Sequence, residues 1–319
     1  MSEYTRAVLG KQAAELGFIR DTFEKATRLA RLLSFFERDP ILSRYLALKG
    51  GTAINMTIFN LPRLSVDIDL DFAENLALDE MKAVRTTIRD TIRRHTVMNG
   101  YSLADKSKEY HTLDSDVYQY ISASGVRDNI KIEINYSLRS HVLPLTKRSI
   151  ETLGIFTPAT VLSLDPVEIF ASKIVALLTR AAARDLYDVN NMVSYGLFDE
   201  PQIEQLRKCV VFYLAVCAED TPNTFAFDKL DALTYRDIKM RLTPMLRKKD
   251  SFDLDSARSQ VKRFLSGLLE FSDSMKEFLS SFCDGEYRPE LLFDGEMLEH
   301  VQGHPMAAWK IIVRNRRQL

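Results

Sequence analysis

The stretch from Val66 to Phe72 narrows the choice of fold more than any other. Apolar and acidic residues alternate there without a break, as Val66, Asp67, Ile68, Asp69, Leu70, Asp71 and Phe72. Side chains alternate faces along a strand, so the apolar set packs inward while the three carboxylates line up on the opposite face. Aspartate is a poor strand former, and like charges in one column repel. Two readings are open. An edge strand can carry acids that discourage aggregation. Alternatively, residues i and i+2 on one face have Cα atoms about 7 Å apart, so their carboxylates can converge on hard divalent cations that bridge to phosphates.

The residues just upstream favour the second reading. LKGGT places Gly50 and Gly51 at the end of a short strand, with Thr52 where a helix over TAINMTIF is predicted to begin. Glycines let the backbone approach a phosphate, and a helix N-terminus adds unpaired N–H groups and a favourable dipole. A Gly-Gly pair alone is only a turn signal. Followed by a strand bearing Asp-x-Asp, it makes an anion cradle beside a metal site. In NIKIEINYS, Ile130, Ile132, Ile134 and Tyr136 share one face, while Lys131, Glu133, Asn135 and Ser137 share the other. Glu133 is therefore the expected third carboxylate beside Asp67 and Asp69. The expected cofactor is Mg²⁺ or Mn²⁺, with a nucleoside triphosphate as substrate.

The remaining pattern divides the chain. Residues 1–45 read as helical: Phe23, Ala26, Leu29, Leu32, Leu33 and Phe36 recur at three- and four-residue spacing until Pro40. A second amphipathic helix, LDEMKAVRTTIRDTIRRHTVMNG, closes at Gly100. DVYQYISAS and NIKIEINYS flank GVRD as a hairpin. After about residue 160 strand signals nearly vanish. DPVEIFASKIVALLTRAAA opens with Asp165 as N-cap and Pro166 at the first helical position. The expected class is α+β: an α/β half over 1–155 that binds nucleotide and metal, then a mostly helical domain over 156–319 carrying the expected acceptor surface.

Composition removes several functions. The chain has 319 residues, 46% of them hydrophobic, and a net charge of −1, so no global basic field draws in nucleic acid. Its three cysteines form no CxxC pair, and five scattered histidines offer no zinc cluster. No run of 18 apolar residues is present, so a cytoplasmic protein without a membrane partner is expected. The basic runs RKKD (247–250) and KIIVRNRR (310–317) read as solvated surface, and His95, His111 and His141 as core or surface residues.

At 100° per residue, Lys173, Arg180 and Arg184 fall near one line of a helix beside an apolar sector. Such a row is either a solvated stripe with an Arg184–Asp188 pair or a set of cations that neutralises triphosphate charge. Lys173 is the strongest single candidate. Asp185 and Asp188 can position it or act directly, with Asp188 preferred.

The stretch KGGTAINMTIFNLPRLSVDIDLDF resembles the signature of the AbiEii/AbiGii nucleotidyltransferase toxins, a family that includes the MenT toxins and belongs to the polymerase-β-like superfamily. Arg63, Ser65, Asp67, Ile68, Asp69 and Leu70 match its R-x-S-x-D-I-D-L core, Glu133 its third acid, and Lys173 with RDLYD (184–188) its later Lys and Arg-Asp-x-x-Asp elements. Asp71 is an acid beyond the motif, read as supporting or solvated. The resemblance implies a mixed sheet flanked by helices and catalysis by Asp67, Asp69, Glu133, Lys173 and Asp188. It also implies nucleotide contacts from Gly50, Gly51, Thr52, Arg63, Ser65, Lys173, Arg180, Arg184 and Asp185. The implied acceptor is RNA, the tRNA 3′ end in MenT-like members, within a toxin–antitoxin or phage-defence pair whose antitoxin is a DNA-binding AbiEi-like protein. Two alternatives remain: a nucleotide- or RNA-binding module without catalysis, and an enzyme that modifies protein side chains.

Overall fold

A computed structural model describes residues 5–218 and 227–317. The chain forms two compact units. The first comprises Met1–Arg139, Leu145–Leu164 and Pro244–Asp250; the second comprises Ser140–Pro144, Asp165–Thr243 and Ser251–Leu319. The 155/156 division read from the sequence therefore runs through a segment that packs with the first unit.

The first unit is built on an eight-stranded mixed sheet. Its strands are β1 (Leu46–Lys49), β2 (Asp67–Phe72), β3 (Ser102–Leu103), β4 (Lys108–Glu109), β5 (Leu113–Ile121), β6 (Arg127–Asn135), β7 (Thr146–Ser149) and β8 (Thr160–Ser163). The order is β3-β5-β6-β2-β1-β8-β7, and β4 also pairs with β5. β2, the strand of alternating acids, is central rather than an edge: it pairs antiparallel with β1 and parallel with β6. Its alternation follows the pleat. Ile68, Leu70 and Phe72 are buried with Leu48, Ile132 and Ile134 of the neighbouring strands.

Helices α1 (Arg6–Leu16), α2 (Arg20–Arg38), α3 (Leu42–Tyr45), α4 (Gly50–Ala53) and α5 (Leu78–Met98) complete this unit. α2 buries Phe23, Ala26, Leu29, Leu32, Leu33 and Phe36, the periodic set expected from the sequence. α5 is tied to the sheet by charge, with Arg85 Nη2 2.6 Å from Asp114 Oδ1 and Arg93 Nε 3.6 Å from Asp116 Oδ2. Two expectations need correction. The helix after β1 starts at Gly50 rather than Thr52 and continues as a π-helix over Ile54–Ile58. Strand structure also persists to Ser163; β7 and β8 have four residues each, too few for an alternation to repeat.

The second unit is helical, with α6 (Pro166–Arg180), α7 (Ala183–Ser194), α8 (Glu200–Cys217), α9 (Asp228–Asp231), α10 (Tyr235–Arg241), α11 (Leu254–Leu268), α12 (Asp273–Cys283), α13 (Gly295–Val301) and α14 (Pro305–Arg317). Asp165 caps α6 through Val167 N, with Pro166 in its first turn, as the sequence predicts. Glu168, one turn further, is fully buried and accepts the backbone N–H groups of Val142 at 3.0 Å and Leu143 at 3.1 Å and the hydroxyl of Tyr213. Burial pushes its carboxyl up, although His141, the Tyr213 hydroxyl and those two N–H groups oppose the shift. A carboxyl so enclosed anchors the 140–144 segment and is out of reach of substrate. The C-terminal basic run is structural in part: Lys310 Nζ donates to Ala215 O at 3.1 Å, and Arg314 Nη1 to Phe282 O at 2.9 Å. The side chain of Arg317 lies outside the described residues.

Candidate active site

The turn between β1 and α4 leaves no room for a side chain. Gly50 has φ +67°, and a Cβ there would lie 2.4 Å from Asp69 Oδ2. A Cβ on Gly51 would lie 2.8 Å from Arg63 Nη2. The two glycines thus lie directly beneath the Asp69 carboxylate and the Arg63 guanidinium. Thr52 Oγ1 donates to the carbonyl of Asp67 and lies 2.8 Å from Ser65 Oγ, and Asn55 Nδ2 donates to Gly51 O at 2.8 Å. Thr52, Ser65 and Arg63 are all buried. Their side chains strap the turn to β2, a structural duty that the sequence did not separate from phosphate contact.

A distant segment braces the same loop. Leu64 N donates to Met245 O at 2.9 Å, and Arg63 forms an isolated bridge with Leu246. Arg247 Nη1 donates to Leu16 O at 2.9 Å, with its guanidinium 4.7 Å from the centre of the Phe18 ring. The expected solvated run therefore holds for exposed Lys248, Lys249 and Asp250 but not for Arg247.

Register then assembles a row across the sheet. Lys49 of β1 stands opposite Asp69, Asp69 opposite Glu133 of β6, and Glu133 opposite Ser115 of β5. Asp67 stands opposite Lys131. Glu133 Oε1 is 2.8 Å from Lys131 Nζ and accepts Ser115 Oγ at 3.0 Å. Among the described residues, no three His, Cys, Asp or Glu side chains converge as a metal cage. Mg²⁺ requires less than that, since it binds through one or two carboxylates and completes its shell with water and substrate phosphates. Asp67 and Asp69 are half-buried, offer only oxygen donors and share a face above the glycine turn. That pair fits a hard divalent cation that arrives with a triphosphate.

Of the two expectations for Asp71, supporting or solvated, the solvated one does not hold. Asp71 is 1% exposed, and its Oδ1 lies 2.5 Å from Lys49 Nζ. Removing a buried carboxylate from an ion pair is costly, although Lys49 can still reach water. Asp71→Ala is expected to lower the unfolding free energy by about 1–3 kcal/mol in urea titrations. An unchanged urea midpoint would refute this.

The helical unit carries a second charged group. Lys173 Nζ of α6 lies 2.9 Å from Asp185 Oδ1 and 3.3 Å from Asp188 Oδ2, and Arg180 Nε lies 3.0 Å from Asp185 Oδ2. RDLYD thus presents two acids, three positions apart on α7, to one lysine. The single cationic row expected through Lys173, Arg180 and Arg184 does not form. Ala181 adopts the left-handed conformation at φ +48°, α6 ends at Arg180, and half-buried Arg184 lies in the first turn of the next helix. Burial works against ionising Asp185, but Lys173 and Arg180 outweigh it and hold the carboxyl below its ordinary range. The stability that this group contributes is present above the ordinary carboxylate range and lost as pH falls through the depressed value. An ammonium has three N–H donors. Its two aspartates leave Lys173 with one N–H that has no protein acceptor among the described residues.

A family model described as the nucleotidyl transferase AbiEii toxin of type IV toxin–antitoxin systems matches residues 32–287. MenT4, a nucleotidyltransferase toxin from Mycobacterium tuberculosis H37Rv, shares the fold, with a TM-score of 0.65 over 97% of this chain and 99% of that one at 16% sequence identity. No curated protein matches by sequence. Among the described residues, no helix is long and apolar enough to cross a membrane.

Proposed function

The chain belongs to the AbiEii nucleotidyltransferase toxin family of type IV toxin–antitoxin systems, and from that premise we propose that it moves a nucleoside monophosphate from an NTP to an RNA acceptor, the tRNA 3′ end first among them. The observation that carries this reading is the row Lys49–Asp69–Glu133 set against the Gly50-Gly51 turn. Asp67 and Asp69 would hold Mg²⁺ or Mn²⁺, and the cation supplies charge neutralisation for the triphosphate. The glycine turn lets phosphate oxygens approach the backbone, held in shape by Thr52, Ser65 and Arg63. The acceptor hydroxyl oxygen bonds to the α-phosphorus, the bond to the bridging oxygen breaks, and pyrophosphate leaves in line. Glu133 is assigned the hydroxyl proton.

Lys173, oriented by Asp185 and Asp188, is assigned to the charge that builds on the phosphates, with Arg180 and Arg184 as supporting cations. Lys173→Met is expected to lower kcat about 10²-fold while changing KM little. A rise in KM at constant kcat would mark it as a ground-state contact instead.

The direct test supplies the purified chain with each α-labelled NTP, Mg²⁺ and total tRNA. Label is expected in RNA and lost in Asp67→Asn and Glu133→Gln. Label in protein would make the chain a protein-modifying enzyme, and nucleotide binding without any transfer would make it a non-catalytic module. The expected partner is a separate antitoxin of the DNA-binding AbiEi type, tested by rescue of growth on co-expression.

A further inference from the structure

Two lysines lie among the acids of the sheet face. Lys49, the last residue of β1, stands opposite Asp69, and Lys131 of β6 stands opposite Asp67. Each has taken a carboxylate oxygen: Lys49 Nζ is 2.5 Å from Asp71 Oδ1, and Lys131 Nζ is 2.8 Å from Glu133 Oε1. Asp71 and Glu133 are the carboxylates that neighbour Asp69 along its strand and across the sheet. They are turned toward ammonium groups, which accounts for the lack of a three-acid cage among the described residues. The Lys49 and Lys131 side chains keep 22% and 38% of their exposure, so neither is locked into the interior.

We propose that Lys49 and Lys131 are exchangeable counter-ions of this row. In the nucleotide-free protein they neutralise Asp71 and Glu133; when a divalent cation binds on the adjacent Asp67 and Asp69 it takes over the neutralisation of the row, and they turn to donate to the phosphate oxygens of the NTP. The inference rests on the nucleotidyltransferase reading and names the side chains that couple cation to nucleotide in that site. A divalent cation on Asp67 and Asp69 would stand next to these ammonium groups on the same face, and like charges at that range repel. Once displaced, a lysine keeps three donors on a flexible four-carbon stem, and a phosphate oxygen is a strong charge-assisted acceptor. No covalent bond is made or broken in the exchange.

The device has an unusual signature, because removing either lysine should move two affinities in opposite directions. Electron paramagnetic resonance can follow Mn²⁺ binding to the full chain, and calorimetry can follow a non-hydrolysable NTP at saturating Mn²⁺. Lys131→Met is expected to tighten Mn²⁺ binding without nucleotide and weaken NTP binding, each by about fivefold or more. Lys49→Met strands the buried Asp71 carboxylate, so Lys49→Met with Asp71→Asn serves as its folded companion and is expected to weaken NTP binding by a similar factor. Unchanged or weaker Mn²⁺ binding in Lys131→Met, or both affinities moving together, would overturn the exchange. Asp69→Asn separates the two levels. If it loses Mn²⁺ while Lys131→Met behaves as wild type, only the exchange falls. If it binds Mn²⁺ as wild type does, the catalytic reading of this face falls with it.

Discussion

Asp69→Asn is expected to reduce nucleotide transfer by about 10³-fold or more while leaving the protein folded. The asparagine keeps the shape that lies over Gly50 but loses the charge that would hold the cation. Asp69 is also the middle acid of a column containing Asp67 and Asp71, so removing its charge relieves repulsion along β2. The thermal midpoint should therefore hold or rise as activity disappears. Loss of both together would mean that Asp69 serves the fold, and transfer at the wild-type rate would remove it from the chemistry. Radiolabel transfer and differential scanning calorimetry on one preparation decide among these outcomes.

Gly50→Ala is expected to combine a large loss of stability with loss of transfer. An L-residue at φ +67° sits in the left-handed region, a strain of about 1–2 kcal/mol. The new methyl would also lie 2.4 Å from Asp69 Oδ2 and 3.0 Å from Asp69 Cβ, so β2 or the turn must shift. A total of about 2–4 kcal/mol in unfolding free energy is expected, with transfer down at least about 10²-fold because the displaced group is the cation-binding carboxylate. Gly10→Ala is the control. Gly10 lies within α1, its Cβ would meet nothing within 4 Å, and the change should be neutral or stabilising by up to about 1 kcal/mol. Equal effects at the two positions would refute the steric explanation.

Much of this architecture was legible where a period runs long enough to repeat. β2, the β5–β6 hairpin, α2, α5 and α6 all follow alternation or helical spacing in the sequence, and register places Glu133 opposite Asp69 as the shared in-and-out pattern of the two strands suggested. What stayed hidden has identifiable causes. β7 and β8 are too short to show a period. The helix at Gly50 begins earlier than expected because glycine takes the left-handed backbone at its first residue without the steric cost of a Cβ. The break between Arg180 and Arg184 falls on Ala181, a strong helix former that gives no warning of a left-handed turn. The fastening of Arg247 to Leu16 joins residues far apart in sequence, which no local pattern announces. Asp71 sits on the polar side of its strand and reads as either supporting or solvated; only the antiparallel placement of Lys49 shows how its charge is held in a buried position. Lys49 itself was visible, directly before the two glycines, but its meaning depends on its partner across the sheet.

The central claim is that Asp67 and Asp69 hold a divalent cation beside the glycine turn. The most direct measurement is an anomalous difference map from crystals grown with Mn²⁺ and a non-hydrolysable NTP. The expected result is a peak about 2.0–2.3 Å from oxygens of both aspartates, with the triphosphate completing its shell. A bound triphosphate with no peak between those carboxylates, or a peak at other ligands, would contradict it.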